Sequence, residues 1–278
     1  KKNRIYAMIE SLSVTNFYCF RERTTISFIA KKERNRVLDN DFCGFSARNK
    51  TNILKLIYLL GNNGSGKSKI LSAFGALQYL TTNIRERDDE LLRHKPFAFD
   101  EGCLKKPSTI EIIYHIDDRR FSYTIEWNRD AIHNEYLKEI RGKNEIELFH
   151  RWYDEEKELV RVDFMPKMQM SDNEAYIVKT TLLKNNSLLS VIAKTNISHN
   201  LLKTQFVFFS KGFDIVELED VDLNEELPDE EAFVVMKQLK LSYSDFVQLF
   251  KRMVFNEYAK NYDDHTKNIS FLMDKKGK

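Results

Sequence analysis

The sequence predicts an α/β fold, and three observations predict it. An apolar run at 53–60, "ILKLIYLL", leads directly into the glycine-rich stretch "GNNGSGKS" at 61–68. Apolar residues then recur at helical spacing from Ile70 to Leu80. Five short β-like runs, separated by turn residues, lie between 105 and 165. Together these features predict a mixed sheet around one helix, with an antiparallel β-subdomain and a helical insertion.

The N-terminal region predicts two antiparallel strands. Residues 8–17, "MIESLSVTNF", and 23–30, "RTTISFIA", alternate apolar with polar side chains, and the short segment between them suits a hairpin-like connection. The polar, basic stretch at 31–52 is then expected to be a loop, with room for one short element. The nearly continuous apolar run at 53–60 is typical of a buried central strand.

The stretch 61–68 has the G-x-x-x-x-G-K-[ST] spacing of a phosphate-binding loop. Glycines let the backbone adopt positive φ and turn its N–H groups inward around an anion, and a helix that starts there adds its positive end. Lys67 can reach the β- and γ-phosphates of ATP, and the Ser68 hydroxyl can ligate Mg²⁺. The alternative is a glycine-rich turn that merely matches the pattern. The candidate ATP-binding residues are Gly61, Asn62, Asn63, Gly64, Ser65, Gly66, Lys67, Ser68 and Lys69.

The second half of the chain predicts mainly helices. A helix is expected to begin near Asn186 or Ser187, both of which are good N-cap residues. Residues 214–231 carry ten acidic side chains in eighteen positions and predict a solvated linker or exposed loop. Two amphipathic helices are predicted after it, at about 229–241 and 244–259.

Composition and charge exclude several classes of protein. Of the 278 residues, 42% are hydrophobic, which is enough to form a core. The net charge is +2, so the chain as a whole lacks the strong positive charge of many nucleic-acid-binding proteins. Basic residues at 31–36 and 84–94 leave contact with nucleic acid possible, against the alternative of solvated loops. No apolar run approaches the length of about 20 residues that a membrane span needs. Three cysteines without C-x-x-C spacing, interpreted as small semi-buried hydrophobes, suit a reducing cytosol. We therefore expect a cytoplasmic protein with no membrane partner.

Several stretches, taken in order, resemble one family. They are "IESLSVTNFYCFRERTTISF", "IYLLGNNGSGKSKILSAF", "HKPFAFDEG", "STIEIIYHIDDRRFSYTIEWNRDAIHNEYLKEI" and "KNNSLLSVIAK". Over most of 8–195 the chain resembles the N-terminal half of ABC-type ATPases of bacterial abortive-infection and antiphage systems. These are relatives of the SMC and OLD-family ATPases and include Septu-like, retron-associated and PARIS-type ATPases. The resemblance implies a P-loop NTPase with an ABC-ATPase-like mixed sheet. It divides the chain into an N-terminal ATPase lobe at 1–104, an antiparallel β-subdomain at 105–165, and a helical insertion at 166–278 that leads towards a C-terminal ATPase half.

The resemblance also assigns expected roles to single residues. Residues 16–21 match the N-terminal hairpin that lies near adenine and ribose in relatives, which makes Arg21 a candidate nucleotide contact. The alternative is an exposed charge. Pro96 and Phe97 match the region of a γ-phosphate-sensing Q-loop, although no glutamine is present there. Glu135 matches the family's Glu-x-Leu, with a structural role as the alternative to a catalytic one.

The function implied by the resemblance is nucleotide-dependent control of a partner. ATP would join two or more copies of the chain, and the assembly would restrain or release an effector such as a nuclease or another toxin. After residue 195 the sequence offers no good apolar strand ending in Asp-Glu, since "VELED" is short and acidic and "ISFLMD" is followed by Lys275. The catalytic residue is therefore unknown, and we expect this chain, as the N-terminal portion of a longer ATPase, to bind ATP without turnover. The alternatives are an SMC-like DNA-repair ATPase acting on DNA ends and a non-hydrolysing, nucleotide-gated scaffold.

Overall fold

The computed structural model describes residues 7–30, 43–46, 51–54, 57–61, 65–91, 93–214 and 273–274. The helices predicted at 229–241 and 244–259, and the acidic segment beyond Asp214, lie outside these residues. No helix in the described part of the chain has both the length and the apolar character needed to cross a membrane.

A seven-stranded antiparallel sheet forms the centre of the described structure. The strands in chain order are β1 (Ala7–Thr15), β2 (Thr24–Ser27), β3 (Cys43–Ser46), β4 (Thr51–Leu54), β5 (Ser108–Ile116), β6 (Arg119–Trp127), β7 (Ile132–Arg141), β8 (Asn144–Asp154), β9 (Leu159–Phe164), β10 (Phe213–Asp214) and β11 (Met273–Asp274). The large sheet has the order β2-β1-β5-β6-β7-β8-β9, while β3 pairs with β4 and β10 with β11.

The two antiparallel segments predicted from sequence are confirmed. Strands β1 and β2 form the N-terminal pair, and β5 to β9 follow one another as a meander with every neighbour antiparallel. Strand β1 also pairs with β5, where Leu12 lies opposite Ile112. The sheet therefore runs across the boundary placed between 104 and 105.

Within the described residues, five α-helices accompany the sheet: α1 (Lys67–Thr82), α2 (Glu101–Leu104), α3 (Asp172–Thr181), α4 (Leu188–Ile192) and α5 (Asn200–Lys211), with a short 3₁₀ helix at Pro166–Met168. The amphipathic helix predicted after the glycines is confirmed as α1. Its side chains at 70, 71, 74, 77 and 80 are all buried.

The core lies between one face of the sheet and helices α1, α4 and α5. Alternate residues of β5 and β6 point into it, among them Tyr114, Tyr123 and Trp127, each fully buried. Tyr114 stacks on Phe208 of α5 with ring centroids 4.2 Å apart. The Gln78 side chain of α1 donates to the Phe209 carbonyl at 3.2 Å. These contacts hold α1 and α5 against each other and against the sheet.

The prediction of a buried central strand at 53–60 is wrong for 57–60. Strand β4 ends at Leu54, and 57–61 have neither strand nor helix structure. Ile57 and Leu59 pack on the core beside α1, whereas Leu60 is 70% exposed. The apolar run correctly indicated burial of part of the segment. A strand also needs a neighbour to share its hydrogen bonds, and none of the described strands pairs with 57–60.

The helix start predicted near Asn186 or Ser187 is confirmed, with Ser187 as the N-cap of α4. Its hydroxyl accepts a hydrogen bond from the Ser190 N–H at 3.0 Å. Glu135, fully buried within β7, accepts from the Leu188 N–H at 2.7 Å and from the Tyr123 hydroxyl at 2.8 Å. Burial raises the pKa of this carboxyl. These contacts show Glu135 bracing the start of α4 against the sheet.

Arg151 of β8 performs a related structural task from the same face of the sheet. It is fully buried and donates to the carbonyls of Ile132, Leu183 and Lys184, the last at 2.8 Å. Burial lowers the pKa of the guanidinium to about 10, so the side chain remains charged at neutral pH. The approach to α4 is therefore tied to the sheet by a buried cation.

Candidate nucleotide-binding site

Gly66 stands at the junction between the glycine-rich loop and α1, in a conformation that favours glycine. It is the N-cap of α1, with φ of 95° and ψ of 6°. A Cβ built on Gly66 would lie 2.7 Å from Cys19 Sγ and 3.2 Å from Phe20 Cζ. Both the left-handed backbone and the close approach of the β1–β2 connection therefore select glycine here.

The described ends of the loop curl towards each other. Lys67 Nζ donates to the Gly61 carbonyl at 2.6 Å, which joins the first glycine of the motif to the start of the helix. A Cβ on Gly61 would lie 2.7 Å from Ser65 Oγ, so the chain is also tight at this end. The middle of the loop, 62–64, lies outside the described residues.

The N-terminus of α1 is built to attract an anion. Among the residues that the structure describes, no side chain caps it, and its first turn contains no acidic residue. Lys67 and Lys69 instead occupy that turn, where cations meet the positive end of the helix and are unfavourable unless an anion is bound. The sixteen-residue helix therefore directs the positive end of its aligned peptide groups to the same place as two ammonium groups.

Ser68 has the position and chemistry expected of a magnesium ligand. It lies in the first turn of α1 and is exposed, and its hydroxyl makes no hydrogen bond to the residues that the structure describes. A hydroxyl oxygen is a donor of the kind that Mg²⁺ takes together with phosphate oxygens. The residues present thus fit ATP with Mg²⁺.

The connection between β1 and β2 closes one side of the site. Phe17 and Phe20 exchange backbone hydrogen bonds of 3.0 and 2.9 Å, which forms a tight turn. Asn16 fixes this turn, since its side chain donates to the Cys103 carbonyl at 2.8 Å and accepts from the Phe97 N–H at 3.0 Å. Residues 16–20 are thereby held against Gly66, and 95–97 lie beside them.

Arg21 is engaged with a carboxylate. Its Nη2 lies 2.6 Å from Asp100 Oδ2, and Asp100 also accepts from the Gly102 N–H as the N-cap of α2. Arg21 is half-exposed, and a contact from it to a nucleotide stays a prediction.

Two contacts of this site could not be predicted from the sequence. Lys69 Nζ lies 4.6 Å from the centroid of the Tyr18 ring, and Cys19 Sγ approaches Gly66. Cys19 is exposed, so its interpretation as a semi-buried hydrophobe is wrong, whereas Cys103 is buried as expected. The turn points Cys19 towards the loop instead of the core. Nothing local in the sequence signals a contact between residues 47 positions apart.

Two family models match parts of the chain. Residues 56–167 match a model described as an AAA domain, putative AbiEii toxin, Type IV TA system. Residues 215–278 match a model described as a HipA-like C-terminal domain. No curated protein matches the chain.

The first match contains the whole glycine-rich loop, α1 and the whole meander from β5 to β9. It supports an AAA-type P-loop ATPase in a toxin–antitoxin or abortive-infection context. The mixed α/β structure with its large antiparallel sheet is consistent with a P-loop NTPase fold. The second match covers a region expected from sequence to be a helical insertion.

Proposed function

We propose that this chain binds ATP with Mg²⁺ at 61–68 and acts as the nucleotide-dependent regulatory subunit of a toxin–antitoxin or abortive-infection system. One observation carries the proposal. Gly66, with a left-handed backbone, directly precedes α1, whose start no described side chain caps, and the Lys67 side chain reaches back to the Gly61 carbonyl. The match of 56–167 to an AAA domain of toxin–antitoxin systems supports the cellular context.

Each residue of the loop has a distinct task in this proposal. Lys67 exchanges the Gly61 carbonyl for β- and γ-phosphate oxygens, and backbone N–H groups at the start of α1 donate to the same phosphates. The Ser68 hydroxyl holds Mg²⁺, which neutralises phosphate charge when bound. Tyr18 and Lys69, in contact with each other, lie where the β1–β2 turn meets the helix and would border the nucleotide.

Binding and turnover are separate in this proposal. The loop stabilises the bound triphosphate, whereas hydrolysis also needs an oriented water and charges that match the transition state. The sequence offers no good Asp-Glu strand end to supply them. We therefore propose that the chain alone binds ATP with negligible steady-state hydrolysis. ATP shared between two copies would then control an effector such as a nuclease.

Light scattering coupled to size exclusion tests this role. With ATP and Mg²⁺ the molar mass should rise about twofold over the nucleotide-free protein. Lys67→Ala should remain monomeric under both conditions. Lys179→Ala, which removes an exposed lysine of α3, should behave like the parent chain.

An unchanged mass in this experiment, or turnover of ATP in a separate phosphate-release assay, would contradict parts of the proposal. An unchanged mass with saturating ATP would rule out nucleotide-dependent assembly. Magnesium-dependent phosphate release that Lys67→Ala removes would show that the chain turns over ATP by itself. Salt-dependent binding of duplex DNA by the same samples would favour the DNA-repair alternative.

A further inference from the structure

A groove of about 810 Å³ lies at the far end of the core, away from the glycine-rich loop. Its floor is the end of the sheet's inner face, and its opposite wall is formed by the first half of α5 and the 3₁₀ helix. None of its lining residues belongs to 61–69 or to the β1–β2 connection. The volume falls within the range of small-molecule sites, roughly 300–1,000 Å³.

Two arginines in the groove are fixed by one carboxylate. Arg119 Nε donates to Glu139 Oε1 at 3.0 Å, and Arg141 Nη2 donates to Glu139 Oε2 at 2.7 Å. Glu139 itself is only 2% exposed. Burial raises the pKa of Glu139, but the hydrogen bonds from both arginines outweigh it and leave the pKa below its ordinary value. The carboxyl is therefore ionised at neutral pH and holds the two guanidinium groups side by side.

The two guanidinium groups have donors to spare. Each arginine uses one nitrogen on Glu139, and a guanidinium carries five N–H donors. Arg119 is further positioned by the Phe121 ring, whose centroid lies 4.9 Å from its Cζ. Lys167 adds a third cation to the lining and forms no ion pair with the described residues. The lining is net positive, because it contains three cations and only two carboxylates, those of Asp117 and Glu139.

A buried amide in the wall lacks a hydrogen-bond acceptor. Gln205 of α5 is fully buried, and its Oε1 accepts a hydrogen bond from the Tyr114 hydroxyl. Its Nε2 has no partner among the described residues, although Gln205 lines the groove. A buried donor left without an acceptor destabilises the fold, so an unsatisfied amide on a residue that lines the groove marks a place for a ligand oxygen.

We propose that this groove binds a small anionic ligand carrying a carboxylate or phosphate group and a second acceptor oxygen. The free N–H groups of Arg119 and Arg141 hold the anionic group, because planar guanidinium groups match both oxyanions. The Gln205 amide donates to the second acceptor. The site is separate from the ATP site and gives the chain a second small-molecule input.

The test uses the full chain with Lys67→Ala, which removes anion binding by the glycine-rich loop. Calorimetry with inorganic pyrophosphate and, separately, with citrate covers the two ligand chemistries. We expect one probe or both to bind saturably with one site per chain, and the probe that binds identifies the chemistry. Arg141→Gln should weaken binding about tenfold, as expected for the loss of a charged hydrogen bond.

The matched control is Arg161→Gln. Arg161 is, like Arg141, a partly exposed arginine paired with a carboxylate, here Asp154, but it lies outside the groove. This control should bind the probe with unchanged affinity. Gln205→Leu, checked for folding by circular dichroism, should weaken binding as Arg141→Gln does. Absence of saturable binding for both probes, or equal losses in Arg141→Gln and Arg161→Gln, would overturn the proposal.

Discussion

Among single residues, Gly66 controls the geometry of the loop most directly. It combines a left-handed backbone with contact to the β1–β2 connection. Gly142, in the turn between β7 and β8, is also left-handed with φ of 63°, but a Cβ there would meet nothing within 4 Å. The two glycines therefore separate the effect of backbone conformation from the effect of crowding.

We expect Gly66→Ala to destabilise the protein more than Gly142→Ala does. Both alanines are strained by about 1–2 kcal/mol in the left-handed region. Only the alanine at 66 must also displace Cys19 and Phe20. Urea unfolding of both variants measures the difference in free energy. Equal losses would show that the approach of the β1–β2 turn to the loop does not constrain residue 66.

The lowered pKa of Glu139 predicts that the stability of the protein depends on pH. Hydrogen bonds from Arg119 and Arg141 lower the pKa of Glu139 in the folded protein. The ionised carboxylate therefore contributes fully to the free energy of unfolding above the pKa of the unfolded chain, about 4.3, and this contribution is lost as the pH falls through the pKa of the folded protein. We expect Glu139→Gln to lower the free energy of unfolding by about 1–2 kcal/mol at pH 7, a value reduced because both arginines are partly exposed to solvent. The cost should shrink towards pH 3. Unfolding in urea across this range measures it, and a cost that grows on acidification would contradict the account.

At the scale of elements, the start of α4 shows which contacts are local and which are distant. The Ser187 cap could be predicted because a capping residue directly precedes an apolar run. Asn186 has a role that no local pattern signals. Its side chain accepts from the Arg85 N–H and donates to the Arg85 carbonyl, both at 2.8 Å and across 101 residues of sequence.

Asn186→Ala should be strongly destabilising. The change leaves two buried backbone groups of Arg85 without their partner, and we expect a loss of about 2–4 kcal/mol. Asn196→Ala is the control, because Asn196 is exposed on the segment before α5, and its change should stay within about 0.5 kcal/mol. Thermal or urea unfolding compares the two. Similar values for both would mean that the contact between Asn186 and Arg85 contributes little.

Strands were predictable where turn residues bounded a segment in which apolar and polar side chains alternate. The meander from β5 to β9 has both signals, and the structure confirms it. The segment at 57–60 has only its apolar character, which reports burial but not a hydrogen-bonding neighbour. The pairing of β1 with β5 joins residues about a hundred positions apart, and nothing local specifies it.

For the whole molecule, the site combines a local motif with distant supports. The spacing of Gly61, Gly66, Lys67 and Ser68 is readable in the sequence, and the structure shows Gly66 left-handed at the start of α1. The contacts that Tyr18 and Cys19 make with the start of α1 depend on the fold of the entire sheet. The groove at Glu139 and Gln205 likewise brings together a strand and a helix that have no shared sequence pattern.

Calorimetric titration with a non-hydrolysable ATP analogue and Mg²⁺ tests the central claim most directly. We expect the parent chain to bind one equivalent and Lys67→Ala to show no measurable binding, because the variant loses the ammonium group that meets the phosphates. Lys179→Ala should bind as the parent does. Equal affinity of the parent chain and Lys67→Ala, or no binding by the parent chain, would contradict the assignment of 61–68 as the nucleotide site.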